Sequence, residues 1–161
     1  MAILTASRKT ILLKIGQGKI IRAFAGFGNR MRPRAHLVDR PTRVAGQIRQ
    51  VGGFGSAEEI RYADFKALLA MKLLKEYFRD QPQVFYELNE AGMAALLEMI
   101  PATVIKGPHF PMHCDMCARL AMDMDDHGNN EYYCDVDNRQ ITERRIAECG
   151  ASGDYVRRMG A

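Results

Sequence analysis

Residues 65–99 read FKALLAMKLLKEYFRDQPQVFYELNEAGMAALLEM, and how this stretch divides into elements decides the fold. Before Gln81-Pro82, the apolar residues Ile60, Ala63, Ala67, Met71, Leu74 and Phe78 recur at three- and four-residue steps. Arg61, Lys72, Lys75 and Arg79 are left for the opposite face, so the period predicts one long helix. Ser56-Ala-Glu-Glu has the capping-box pattern that would open it, and Pro82 would close it. Val84-Phe-Tyr-Glu-Leu88 is rich in strand formers and predicts a short strand. Asn89 is placed to cap a final helix over about 90–100, before Pro101.

Toward the N-terminus, Thr5 or Ser7 can cap a short helix over about 7–15, where Ile11, Leu12 and Ile15 share a face. Gly16-Gln17-Gly18 stops it. Residues 19–25 read as a strand that runs into Gly28-Asn29 turn chemistry. Pro33 and Pro41 limit regular structure over 29–56, with Pro41 able to start a short helix through about Gln50. Gly52-Gly53-Phe54-Gly55 reads as a flexible joint.

The phrase Tyr86-Glu-Leu88-Asn89-Glu-Ala-Gly92-Met-Ala-Ala95-Leu96 resembles the "Y-x-L-T-x-x-G-x-x-A-L" ending of winged helix-turn-helix regulators. The opening LTASRKTILLKIGQGKI is similar to first helices of that class. Over about 1–100 the resemblance implies a winged-helix-like domain in which Leu88 ends a wing strand, Asn89 stands in for the usual Thr cap, and Gly92 permits close approach of the last helix. The expected class is α+β: a winged-helix-like basic domain over 1–101, a small zinc-ribbon-like β module over 108–150, and a tail over 151–161.

Charge is divided the same way. The 161 residues carry a net charge of +4, but 1–50 hold 11 Lys and Arg against Asp39 alone, or +10. The remaining 12 basic and 18 acidic residues give −6 over 51–161. A basic half of this kind fits a polyanion, or else docks on the protein's own acidic part. Arg30, Arg32, Arg34, Arg40, Arg43 and Arg49 are the candidate nucleic-acid contacts, since guanidinium forks suit phosphates and base edges. Lys66, Lys72 and Lys75 are secondary candidates. No apolar run approaches the length of a membrane span, and the N-terminus lacks signal-peptide organisation. A cytoplasmic protein is expected.

In the C-terminal part, His113-Cys114-Asp-Met-Cys117 holds a C-x₂-C knuckle, and sixteen residues intervene before Cys134, which is followed by Asp137. Two such turns at the ends of a hairpin make a zinc ribbon, because each places two ligands at tetrahedral spacing. Residues 123–130 are turn formers, and Tyr132-Tyr133 suits the returning strand. The expected structural Zn²⁺ site is Cys114, Cys117, Cys134 and Asp137, with Cys149, His127 and His113 as alternative fourth ligands. Met112-x-Cys114-x-x-Cys117 also fits the M-x-C-x-x-C phrase of copper-chaperone domains. Pro108, Pro111 and the third cysteine favour the ribbon.

No P-loop, dinucleotide fingerprint, nucleophile elbow or paired-acid motif is present, so no catalytic role is expected. The sequence reads as a non-enzymatic nucleic-acid-binding protein, a transcriptional regulator acting on double-stranded DNA, with a homodimer expected where half-sites are paired. The competing reading is a zinc-stabilised adaptor or inhibitor of a nucleic-acid-handling complex, docking another protein through its acidic C-terminal module.

Overall fold

A computed structural model describes residues 4–26, 32–44, 47–49, 57–103, 120–135 and 139–154. Helix α1 (Ala6–Gly16) begins where the Thr5 side chain accepts from the Arg8 amide, and it buries Ile11, Leu12 and Ile15. Gln17 and Gly18 turn the chain into β1 (Lys19–Phe24). Then come β2 (Arg34–Asp39), β3 (Thr42–Val44), β4 (Gln47–Arg49), β5 (Glu58–Ile60), α2 (Tyr62–Ala70), β6 (Leu74–Asp80), β7 (Gln83–Leu88) and α3 (Glu90–Glu98). The C-terminal part adds β8 (Leu120–Met124), β9 (Asn130–Cys134), β10 (Arg139–Gln140) and α4 (Glu143–Ser152).

The class is α+β, as expected. Five antiparallel strands form a sheet in the order β5-β2-β1-β7-β6, with a second sheet β10-β9-β8 and a two-stranded β3-β4 ribbon. The four helices among the described residues share one face of the large sheet. Ile11, Leu12 and Ile15 of α1, Phe65 and Leu68 of α2, Leu96 of α3, and Ala147 and Ala151 of α4 meet Ile21, Ala23, Ala35, Leu37 and Leu88 in one core. Residues from both sides of the 101–108 connector therefore contribute to that core. On the opposite face, Ile20, Val38 and Phe85 are buried with Ala57, Tyr77 and Phe78 packed against them. Among the described residues no helix is long and apolar enough to cross a membrane.

The long helix expected up to Pro82 is two elements. Helix α2 ends at Ala70, and Lys72 turns the chain through φ 55°. Leu74 then opens β6, which pairs with β7 through an irregularity between Glu76 and Phe78 that brings Phe78 opposite Phe85. Apolar steps of three and four suit a helix, but a bulged strand accommodates them too, and cross-strand pairing overrides local period here. The helix expected after Pro41 is likewise replaced by β3 and β4, which pair with each other. Residues 58–60 pair with β2 instead of opening α2. Arg61 precedes α2 without a side-chain cap, and Ser56 lies outside the described residues.

Asn89 is the cap expected of it, and it does more than a threonine could. Its Oδ1 accepts from the Gly92 amide at 2.9 Å, while its Nδ2 donates to the Lys72 carbonyl at 2.8 Å. Gly92 then sits against the 71–73 turn, where an added Cβ would lie 2.1 Å from the Leu73 carbonyl oxygen. Gly150 of α4 makes the same kind of approach to the end of α1, with its hypothetical Cβ 2.1 Å from the Gly16 carbonyl oxygen. Both contacts are to backbone, so neither can relax by rotating a side chain. Gly92→Ala and Gly150→Ala are each expected to cost about 1–3 kcal/mol, as overpacking does, read from the midpoints of urea unfolding curves.

Candidate nucleic-acid interface

Successive strand residues point to opposite faces, so burying Ile21 and Ala23 of β1 against the helices turns Ile20, Arg22 and Phe24 the other way. In β2 the same alternation sends Ala35 and Leu37 inward and leaves Arg34, His36 and Val38 on the face that bears no helix among the described residues. Register lines these residues up. Phe78 lies opposite Phe85, Phe85 opposite Arg22, Arg22 opposite His36, and His36 opposite Glu59. One row thus crosses all five strands, while Phe24 and Arg34 form the neighbouring pair. Phe78 and Phe85 stack at 4.2 Å with planes 9° apart. The Arg22 Cζ lies 5.5 Å from the Phe24 ring centroid, and Phe24 meets the His36 ring edge-on at 6.2 Å.

Arg22 is the unusual member. It is 7% exposed, and its Nε is buried without a hydrogen-bond partner, as is Nδ1 of the half-buried His36. Desolvation lowers the Arg22 pKa. Desolvation likewise lowers that of His36, helped by repulsion from Arg22 and Arg34 and opposed by Glu59. Buried guanidinium groups are normally paired, because taking an ion out of water is costly. The site therefore combines a desolvated cation, a titratable imidazole and an aromatic ring, with exposed Arg32 and Arg34 at its rim. This arrangement can receive an anionic group and stack a planar one.

The sequence-derived residues are distributed unevenly around this site. Arg34 belongs to it. Arg30 lies outside the described residues. Arg43 and Arg49 occupy β3 and β4, where Arg43 faces Ile48 and Arg49 faces Thr42 in register. Arg40 is turned inward. Only 8% exposed, it pairs with Glu87 at 2.8 Å, donates to the Ala151 carbonyl and lies over the Tyr77 ring at 5.1 Å. Lys66 and Lys72 are exposed, and Lys75 pairs with Glu87 at 3.3 Å. A hollow of about 370 Å³ between β7, α3 and α4 holds this Lys75–Glu87 pair, so its charges already meet one another. Sequence reasoning counted Arg22 only as one basic residue and missed Phe24 and His36. The available signal was the two-residue alternation in Ile20–Phe24 and Arg34–Val38.

Of the expected metal ligands, Cys114, Cys117 and Asp137 lie outside the described residues. Cys134 ends β9, opposite Leu120 and Arg139 in register, with a half-buried free thiol. The expected turn is present. Asp125 Oδ1 accepts from the amides of His127 and Asn129 at 2.9 and 2.7 Å, and Gly128 adopts φ 80°. Cys149 lies on α4. Among the described residues no three His, Cys, Asp or Glu side chains converge on a metal-sized site.

Comparison with protein-family models, curated proteins and solved structures finds no match for this chain.

The two buried arginines make opposite predictions. Arg40→Met leaves Glu87 with Lys75 alone and the Ala151 carbonyl without its donor, and is expected to cost about 1–3 kcal/mol, whereas Arg22→Met removes a buried charge that has no ion pair among the described residues and is expected to be neutral or stabilising by about 1–4 kcal/mol; chemical denaturation of the two variants checks both. The folded-state pKa of His36 is depressed, so the unfolded chain takes up protons first. Stability is therefore fully present above the unfolded value of about 6.5 and falls as pH drops toward the folded value. His36→Gln is expected to flatten this acid-side loss in melts taken across that range.

Proposed function

We propose that the protein binds nucleic acid, taking phosphate on the Arg22 and His36 face of its large sheet. The carrying observation is the Arg22 guanidinium, buried beside His36, its Nε without a hydrogen-bond partner and the group without an ion pair among the described residues. A phosphate oxygen supplies what this group lacks: a charge-assisted acceptor in a low-dielectric setting. Arg34 and Arg32 extend the basic surface outward from it. The role is binding rather than catalysis, and transcriptional regulation fits the division into a basic part and an acidic part.

The winged-helix likeness belongs to this proposal in limited form. The β6–β7 hairpin followed by the Asn89-capped α3 supports it, as does α1 leading into β1. Between β1 and α2 the described residues form strands β2 to β5, so on this reading contact with nucleic acid falls to the sheet.

The test is fluorescence anisotropy with intact protein and a mixed-sequence oligonucleotide. With about three phosphate contacts, affinity should fall on the order of 20–40-fold between about 50 and 200 mM salt. Arg32→Ala and Arg34→Ala should each shallow that dependence. Binding that is absent, or indifferent to salt and to both substitutions, overturns the proposal.

A structural Zn²⁺ held by Cys114, Cys117, Cys134 and Asp137 is part of the same reading. Its support is the β8–β9 hairpin, with Cys134 in register with Leu120, a residue only three positions after Cys117. The chemistry fits, since thiolates and a carboxylate are both zinc ligands. A second reading, the zinc-stabilised interaction protein, is favoured by Met122 and Met124, which are 61% and 65% exposed on β8; methionine makes adaptable contacts. Elemental analysis should find about one zinc per chain, lost in Cys114→Ser together with the order of the hairpin, because metal binding and folding are coupled in small modules. Metal-free wild-type protein with an unchanged hairpin signal in NMR spectra would remove the zinc from both readings.

A further inference from the structure

We infer that the site takes single-stranded nucleic acid in preference to duplex, with a phosphate at Arg22 and His36 and a base against Phe24. This rests on the nucleic-acid reading above and specifies its substrate. Two features of the site carry it. The first is the depth of the cation. Arg22 stands in β1, the central strand of the sheet, is 7% exposed, and is flanked in register by Phe85 and His36. A duplex holds its phosphates on a stiff, convex surface that meets exposed side chains. A single strand bends one phosphate at a time and can follow a recessed cation.

The second is the aromatic beside it. Phe24 is half-buried, two residues along the same face, and the exposed Arg34 is its cross-strand partner. In a duplex each base is covered above and below by its neighbours, so Phe24 finds nothing to stack on. In a single strand every base offers a free face, and aromatic platforms interleaved with basic side chains are the general solution for binding it. Phe78 and Phe85 are already stacked on each other, whereas Phe24 meets Arg22 and, edge-to-face, His36, and among the described residues no ring stacks flat on it, so it is the ring of this row and its neighbour left to take a base.

The experiment titrates intact protein into a fluorescein-labelled mixed-sequence 15-mer, and separately into the duplex made from that strand and its complement, at one salt concentration. The single strand is expected to bind at least about tenfold more tightly than the duplex. Phe24→Leu keeps an apolar side chain but removes the ring, and should weaken single-strand binding by about 5- to 100-fold, the range for one stacked base. Phe24→Tyr should restore it. Arg22→Met should lose at least tenfold on the same strand. Thermal melts of each variant, compared with wild type, show that the losses are not unfolding, and the tyrosine variant guards against a leucine variant that fails to fold. Equal affinity for the two forms, or single-strand binding that ignores both Phe24 variants, overturns this inference and leaves the nucleic-acid proposal standing. Wild-type protein that binds neither form overturns both.

Discussion

One buried ion pair holds the molecule's distant parts in place. Arg40 leaves the end of β2, pairs with Glu87 of β7 and donates to the Ala151 carbonyl near the C-terminal end of α4, 111 residues further along the chain. Its own amide donates to Gly18 at 3.2 Å. The Tyr77 ring of β6 covers its guanidinium. A carbonyl in the last turn of a helix lacks an intrahelical partner, and a cation there also meets the negative end of the helix dipole. The pair therefore satisfies the end of α4 while fixing it to the sheet. Gly150 makes that docking close enough to matter. Gly153 closes the helix in a left-handed conformation, where a side chain would collide with Arg40.

With α4 pinned on the helical side, the sheet acquires two unlike faces. The helix side is closed by apolar packing from four helices, in which burial alone drives assembly. The other side carries Arg22, whose burial opposes folding unless something meets its charge. Arg22 stands on β1 and Arg40 just past the end of the neighbouring β2, and the two are buried to almost the same degree. The Nε of each lacks a hydrogen-bond partner, but Arg40 has a carboxylate, a carbonyl and a ring, whereas among the described residues Arg22 has a ring and an imidazole that repels it when protonated. Such an imbalance is hard to explain as stabilisation, because an apolar residue at position 22 would pack there without the desolvation cost. It is explained if the missing acceptor arrives with a ligand, since strain of this kind concentrates where binding occurs.

Much of this was legible in the chain wherever a signal was local. Thr5 and Asn89 each declare a helix start, Asp125-Asp-His-Gly128 a turn, and Val84–Leu88 a strand. What was illegible depended on partners distant in sequence. The run from Leu74 to Phe78 satisfies a helical period, and only its pairing with β7 makes it a strand. The six arginines were nominated because charge is visible without structure, yet charge says nothing about direction. Strand alternation turns Arg22 and Arg34 to one face, and the return of α4 captures Arg40. Arg8, Lys14 and Lys19 are likewise paired, with Asp64, Glu58 and Asp39. At Asp64 the Ser7 hydroxyl, with Arg61 and Arg8, holds the carboxyl below its usual pKa against desolvation, which marks the knot between α1 and α2 as structural.

That internal pairing changes what the charge asymmetry can mean. Four of the 11 basic residues in 1–50 (Arg8, Lys14, Lys19 and Arg40) are neutralised within the fold, so the bare excess of +10 overstates the field a polyanion would meet. Residues 108–161 hold six basic residues and ten acids, 6 − 10 = −4, and that charge repels phosphate wherever it lies near. Long-range attraction of a polyanion is consequently weak, and under the proposed reading affinity has to come from short-range contact. A desolvated guanidinium and an aromatic ring are suited to this, because their interactions strengthen as water leaves and are screened less by salt than surface charges are.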